Sequence, residues 1–336
     1  MSNFQIEAGE KYGLLGISSG AVATQLPDPQ QISTDLWVLR SLPFELPEHW
    51  SKWIGTIQIE ALRESDLYLV SKGPSDHPEV LDQDNERYKK RAYHFYFGVF
   101  LTGSLRCRND PFMLTGANHA SELTVRSLSK YSIPHCVAGY PSDEIDLTRL
   151  RTAALLADAI KTLTEDGGLA RVVKILRAFQ AGIESVEAGD RLHQFVRCVE
   201  GFIYPDTGKT RKQFCSRTEL FLGPSRHPLA HELYDIRSSV EHLHSSFDMI
   251  TAATERERRL TLLKRAVEAE TLARYCIHRF LLNRSLWPHF ETDETLAEFW
   301  TLPREDRGKI WGDHLDIDAI SNRFASDIVD DYDLGL

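Results

Sequence analysis

The sequence predicts an α+β protein, a β-rich N-terminal domain followed by an all-α helical bundle. Three observations carry that expectation. Before residue 145, apolar and polar residues alternate through Thr56, Ile57, Gln58, Ile59, Glu60, Ala61 and Leu62, and the run Tyr93, His94, Phe95, Tyr96, Phe97, Gly98, Val99, Phe100 has the aromatic content of a strand. Beyond Gly139-Tyr140-Pro141-Ser142-Asp143 the period becomes helical, with Leu169, Val172, Leu176, Phe179 and Ile183 stepping by threes and fours. A chain of 336 residues is also long enough for two cores. The expected division is 1–145 for the β-rich domain, 146–311 for the bundle and 312–336 for an acidic tail.

In order along the chain, Leu26-Pro27-Asp28-Pro29 and Lys72-Gly73-Pro74-Ser75 read as loops between strands. The first striped helix is expected to begin just after Gly167-Gly168. A second, with Leu192, Phe195, Val196, Val199 and Ile203 on one side, is ended by Pro205. A third carries Leu229, Leu233, Ile236, Val240 and Leu243. A long helix over 254–283 buries Leu262, Ala266, Ala269, Ala273, Ile277 and Phe280. Short helices follow over 287–311, one opened by Pro303 at its first position. Asp327, Asp330, Asp331 and Asp333 make the end of the chain read as solvated. Short connections between the helices favour antiparallel neighbours and hence a bundle.

Composition excludes several classes. The formal net charge of −10 argues against nonspecific coating of nucleic acid, which rests on Lys and Arg neutralising phosphates. No apolar run approaches the roughly 20 residues that span a bilayer, so no membrane association is expected. The start, MSNFQIEAGEKYG, has no basic-then-apolar leader, and a cytoplasmic location is expected. Five cysteines at 107, 136, 198, 215 and 276 are scattered without zinc-ligand spacing, so neither disulfides, metal nor cofactor are expected. Phosphate-loop, nucleophile-elbow and His-Glu-x-x-His patterns are absent. His94, His119, His135 with Cys136, and Asp76-His77 are isolated and read as structural, and Trp37, Trp50 and Trp53 as core or interface residues.

The run Leu233-Tyr234-Asp235-Ile236-Arg237-Ser238-Ser239-Val240-Glu241-His242-Leu243-His244-Ser245 is where chemistry concentrates. Cleaving RNA without a metal needs a base for the 2′-hydroxyl and a cation for the charge that develops on phosphorus. Histidine titrates near operating pH and suits the first role. Arginine presents a permanently charged, planar fork to phosphate oxygens and suits the second. A bland reading stands beside this one: Arg237 paired with Glu241 or Asp235 on a solvated helix, and His242 bonded to Ser238 one turn back.

Three blocks in order, Phe195-Val196-Arg197-Cys198-Val199-Glu200-Gly201-Phe202-Ile203, Ser216-Arg217-Thr218-Glu219-Leu220-Phe221-Leu222-Gly223 and Leu233 through His242, make residues 191–245 resemble the ApeA-like branch of the HEPN family. The resemblance implies a helical HEPN-like bundle with endoribonuclease activity of the anti-phage or toxin type, an RNA substrate such as tRNA, and an antitoxin or phage-derived trigger as partner. It assigns catalysis to Arg237 and His242, with His244 as the alternative imidazole. Leu243 stands where the family often has Gly. Ser238 would orient the arginine or bind phosphate, Asp235 would serve the partner's arginine, and Glu200 with Arg217 would form an ion pair fixing the bundle. Tyr234 is expected to pack with its hydroxyl partnered.

On an ideal helix Arg237 and His242 lie about 140° apart and roughly 7.5 Å along the axis, so they do not share a face. HEPN proteins are similar in pairing two such motifs across a two-fold axis, which implies a homodimer with a composite cleft. Lys209, Arg211 and Lys212 form a candidate RNA-binding patch. Arg256, Arg258, Arg259, Lys264 and Arg265 form another, but Glu255, Glu257 and Glu268 among them favour an exposed salt-bridged face. The competing expectation is a non-catalytic HEPN-like scaffold that dimerises and binds RNA, a nucleotide or a protein.

Overall fold

The computed structural model describes residues 4–120, 122–131, 134–165 and 169–334. The first elements are β1 (Glu10–Ile17), β2 (Gln30–Gln31), β3 (Leu36–Leu39), α1 (His49–Ile54), α2 (Thr56–Arg63), β4 (Leu67–Pro74), α3 (Gln83–Thr102), β5 (Phe112–His119), β6 (Glu122–Lys130) and α4 (Leu147–Glu165). After them come α5 (Ala170–Glu184), α6 (Ala188–Ile203), α7 (Thr210–Arg217), α8 (Glu219–Leu222), α9 (His227–Glu241), α10 (Glu255–Leu282), α11 (Asp293–Thr301), α12 (Arg304–Trp311) and α13 (Ile317–Ser321). An antiparallel sheet followed by helices is the α+β architecture that the sequence predicts.

Two compact units result, Met1–Pro134 with Ser142–Lys161, and His135–Pro141 with Thr162–Leu336. The expected cut at 145 therefore moves to Lys161. The reason lies at the end of α3. Arg149 donates to the carbonyls of Val99 and Gly103, both at 3.0 Å, and Gly98 sits so close to the Ala153 carbonyl that an added Cβ would lie 2.3 Å from it. The first part of α4 is thereby held by α3.

The sheet of the first unit has the order β2-β3-β4-β1-β5-β6 and every pairing is antiparallel. Because side chains alternate along a strand, β1 sends Tyr12 and Leu14 into a core with Trp37, Leu62, Tyr68 and Phe112. Gly13 faces the other way, against the backbone of Tyr88 and Lys89 in α3, where a Cβ would be 2.5 Å away. Both faces of β1 are covered, which is why the strand is apolar from Tyr12 onward and its Lys11 is fully buried.

Three expectations for this unit are corrected. Thr56–Arg63 is a helix because Ile59 and Leu62, three apart, enter the core while Ile57 stays exposed. The aromatic run 93–100 lies inside α3, which is buried around most of its circumference and so shows no polar face. Its start is a capping box, with the Asp82 carboxylate accepting from Asp84 N and the Asn85 side chain returning to the Asp82 backbone. Lys72, Gly73 and Pro74, expected as a loop, continue β4 opposite Glu10, Lys11 and Tyr12.

In the second unit α6 is the central helix, packed by α5, α9 and α10. Its apolar stripe is the expected one: Leu192, Phe195, Val196, Val199 and Ile203 are all buried. Arg191, 2% exposed, binds Glu270 of α10 at 2.7 Å and the carbonyl of His135 at 2.6 Å. The expected helix start at Gly167-Gly168 lies outside the described residues; Leu169, with φ 57°, precedes α5. Thr254 and Glu257 form a capping box on α10, whose predicted apolar positions are buried.

Segment 312–336 is not a free tail. Its aspartates at 327, 330, 331 and 333 are exposed as expected, but Ile317, Val329 and Leu334 are buried, and Arg256 of α10 donates to the Val329 carbonyl at 2.6 Å. Among the described residues no helix is long and apolar enough to cross a membrane.

Candidate active site

The motif helix α9 ends at Glu241, and how it ends decides where both histidines stand. His242 is its C-cap, and Leu243 follows in the left-handed region at φ 59°. Leu243 N donates to Val240 O at 3.0 Å and His244 N to Ser239 O at 2.9 Å. These are the two bonds of a Schellman closure, in which the residue after the cap turns left-handed and glycine is preferred. Leu243 is 95% exposed, so it leaves the apolar stripe on which the sequence placed it. His242 and His244 are both exposed, and among the described residues neither side chain has a hydrogen-bond or ionic partner.

Arg237 is placed differently. Its Nη2 donates to Glu200 Oε2 of α6 at 3.1 Å, with Glu241 Oε2 at 3.7 Å, and the side chain is 18% exposed. Glu241 also meets His193 Nε2 at 3.2 Å, and His193 Nδ1 lies 3.4 Å from the Arg237 carbonyl. Burial raises the Glu200 carboxyl above its ordinary value even with Arg237 opposing it, and burial lowers His193. Glu200 Oε1 and Arg237 Nε are both buried without a hydrogen-bond partner. The arrangement is a half-buried guanidinium aimed by a carboxylate from the neighbouring helix, with an unengaged imidazole five residues later.

The supporting residues divide. Asp235 accepts from Nε and Nη2 of Arg211, at 2.7 and 2.6 Å, so within this chain its carboxylate is engaged by that guanidinium. Lys209 lies 3.6 Å from Asp206, and Lys212 is exposed with no ion pair among the described residues, so one of the three candidate RNA-binding cations is unpaired. The Ser238 carbonyl accepts from His242 N at 3.2 Å, through the backbone rather than the imidazole. The Tyr234 ring packs 5.6 Å from Phe214. Glu200 does not pair with Arg217; that guanidinium donates to the carbonyls of Ile203 and Tyr204 at 2.8 and 2.6 Å. On α10 the second basic run is salt-bridged, Arg258 and Arg259 to Glu255 and Arg265 to Glu232 and Glu268.

His244, unlike His242, lines a groove of about 780 Å³ together with Gly189, Leu243, Phe247, Arg259 and Tyr332. His193 was not singled out from the sequence, although His193, Arg197 and Glu200 step by four and three and so share one side of α6. The contact of Cys215 Sγ with His231 Nδ1 at 3.1 Å was equally unread. Burial pushes that thiol up to about 11, which favours its protonated form. Among the described residues no three His, Cys, Asp or Glu side chains gather to hold a metal ion. No protein-family model, curated protein or solved structure matches the chain.

Proposed function

We propose that the chain is a metal-independent endoribonuclease of the HEPN type, acting on RNA such as tRNA through Arg237 and His242. The observation that carries this reading is the contrast within α9: a guanidinium held by Glu200 at 3.1 Å, and an exposed imidazole fixed at the helix end with nothing engaging it. His242 takes the proton of a 2′-hydroxyl, the 2′-oxygen attacks phosphorus, and the 5′-oxygen leaves and is protonated from the imidazolium. Arg237 neutralises the charge gathering on the non-bridging oxygens. The products are a 2′,3′-cyclic phosphate and a 5′-hydroxyl end. Positions five apart on an ideal helix lie about 140° from each other, and α9 of a second copy completes the cleft. The N-terminal unit answers to a phage-derived trigger or an antitoxin.

The test is incubation of the purified chain with tRNA in EDTA, with end-group analysis of the products and light scattering for the dimer. Cleavage that survives chelation, leaves cyclic phosphate ends and falls by about 100-fold or more in Arg237→Ala and His242→Ala is expected. Cleavage that needs a divalent ion, or that ignores both substitutions, overturns the proposal. His244→Ala, measured in parallel, separates the imidazole bordering the groove from the one at the helix cap. A second reading, a non-catalytic dimerising scaffold that binds RNA or a partner, is favoured by the two carboxylates already within 3.7 Å of Arg237. Binding of RNA without cleavage, in native and variant chains alike, selects it.

A further inference from the structure

Away from α9, the cavity bordered by α7, α8, α11 and α12 collects cations in a chain of net charge −10. Its volume is about 240 Å³, and Arg217, Arg304, Arg307 and His314 line it beside Trp300. A single water needs only about 10–15 Å³ on this measure, so the space is ample for one tetrahedral oxyanion.

The three guanidiniums are held in place. Arg217 and Arg307 lie over the Trp300 ring, at 5.0 and 5.2 Å from its centroid. Each is braced by carbonyls at a helix end: Arg217 by Ile203 and Tyr204 at the end of α6, Arg307 by Trp300 at 2.9 Å and Leu302 at 2.5 Å at the end of α11. Helix C-termini favour cations, so this bracing fixes the forks without discharging them. Only Arg304 meets a carboxylate, Glu219 at 2.8 Å, which also engages His227. Glu305, the other acid lining the cavity, is exposed and has no ion pair among the described residues. Burial lowers the pKa of Arg217 and of Arg307; for Arg217 the charge of Asp206 opposes this and Arg307 adds to it, and for Arg307 the neighbouring Arg304 adds to it. Arg307 Nε is buried without a hydrogen-bond partner.

We propose that this cavity is an oxyanion site that takes a phosphate group, free or carried by a nucleotide. Rigid forks with unspent donors match the geometry of phosphate oxygens, and an anion among them relieves the repulsion between like charges. Trp300, 7% exposed beneath the Arg217 and Arg307 guanidiniums, and the adjoining Leu220 form the apolar floor on which the forks are held. None of these residues belongs to the Arg237 and His242 constellation, so the inference stands or falls apart from the ribonuclease reading.

Isothermal titration of the full chain with inorganic phosphate, at fixed ionic strength, tests it. One saturable site with a Kd of about 1 mM or tighter is expected. Arg304→Gln, at a side chain 61% exposed and so safe for folding, weakens it about tenfold or more. Arg217→Lys, which keeps the charge and loses the fork, weakens it as well. Lys309→Gln, on the same helix at a side chain 75% exposed that pairs with Asp306, leaves it unchanged. A nucleoside 5′-monophosphate that binds more tightly than phosphate assigns the site to a nucleotide; equal affinities assign it to free phosphate. Absence of saturation up to about 20 mM phosphate in the native chain overturns the proposal. So does an equal loss of affinity in Arg304→Gln and Lys309→Gln.

Discussion

Arg237 and His242 are five residues apart, yet truncating them has opposite structural consequences. Arg237→Ala strands the Glu200 carboxylate, 13% exposed, without its cation, and a loss of about 2 kcal/mol in unfolding free energy is expected. Adding Glu200→Gln removes the stranded charge and recovers roughly half of that, so the two substitutions are not additive in a urea-denaturation cycle. His242→Ala, at an exposed and unpartnered side chain, stays within about 0.5 kcal/mol of the parent. Loss of cleavage in His242→Ala with stability intact separates chemistry from folding, which Arg237→Ala alone cannot do. Leu243 adds a third case. Its left-handed φ of 59° costs a branched side chain that is 95% exposed, so Leu243→Gly stabilises the chain by about 1 kcal/mol. A denaturation midpoint that does not rise contradicts the closure described for α9. The run from Leu233 to Ser245 singled out Arg237 and His242 as candidates, but not Glu200 as the carboxylate that holds the arginine. Helical spacing says which residues share a side of one helix and is silent about which helix faces it.

At the scale of elements, the second half of the chain was legible because its helices keep their apolar residues on a 3.6-residue period, even where, as over 266–269 and 271–274 of α10, burial extends all the way round. In α5, Val172, Leu176, Phe179 and Ile183 enter the core while Lys174 and Arg177 remain exposed, and the 3.6-residue period survives in the sequence. Helix α3 defeats the same reading because it is covered on more than one side: Phe95, Tyr96, Phe97, Val99 and Phe100 are all buried, leaving no polar face to reveal the period. Its readable signal was the Asp82 and Asn85 capping pair. Helix α2 carries two periods at once, and the helical one prevails because it places Ile59 and Leu62 together in the core. The closeness of α3 to the sheet makes a further prediction. In Gly13→Ala the new methyl carbon would lie 2.5 Å from backbone atoms of Tyr88 and Lys89, a distance that only movement of the helix relieves. A loss of about 2 kcal/mol or more is expected in urea unfolding. A neutral result would mean that β1 and α3 pack more loosely than described.

Across the whole molecule, the division into two compact units calls for a separate probe of unfolding in each. Acid sensitivity of the first unit has an identifiable source in His94, 7% exposed on α3. Burial, reinforced by Lys90, Arg91 and Lys161, lowers its pKa from 6.5 to about 4. A depressed folded value means that the unfolded chain takes up the proton first. The contribution of His94 is therefore complete above about pH 6.5 and is lost as pH falls toward 4. A shift of that size is worth roughly 3 kcal/mol between the two limits. Carboxylates throughout a chain of net charge −10 also titrate on acidification, so the total slope does not isolate the histidine. The difference between the native chain and His94→Gln does, because glutamine cannot take up the proton. Pulse-labelling hydrogen exchange in urea, read at peptides from β1 and α3 between pH 7 and 4, should show a steeper loss in the native chain than in the variant. Peptides from α6, in the other unit, should show the same slope in both proteins. Parallel slopes at β1 would place a polar partner or solvent around the imidazole and remove the basis for its depressed pKa.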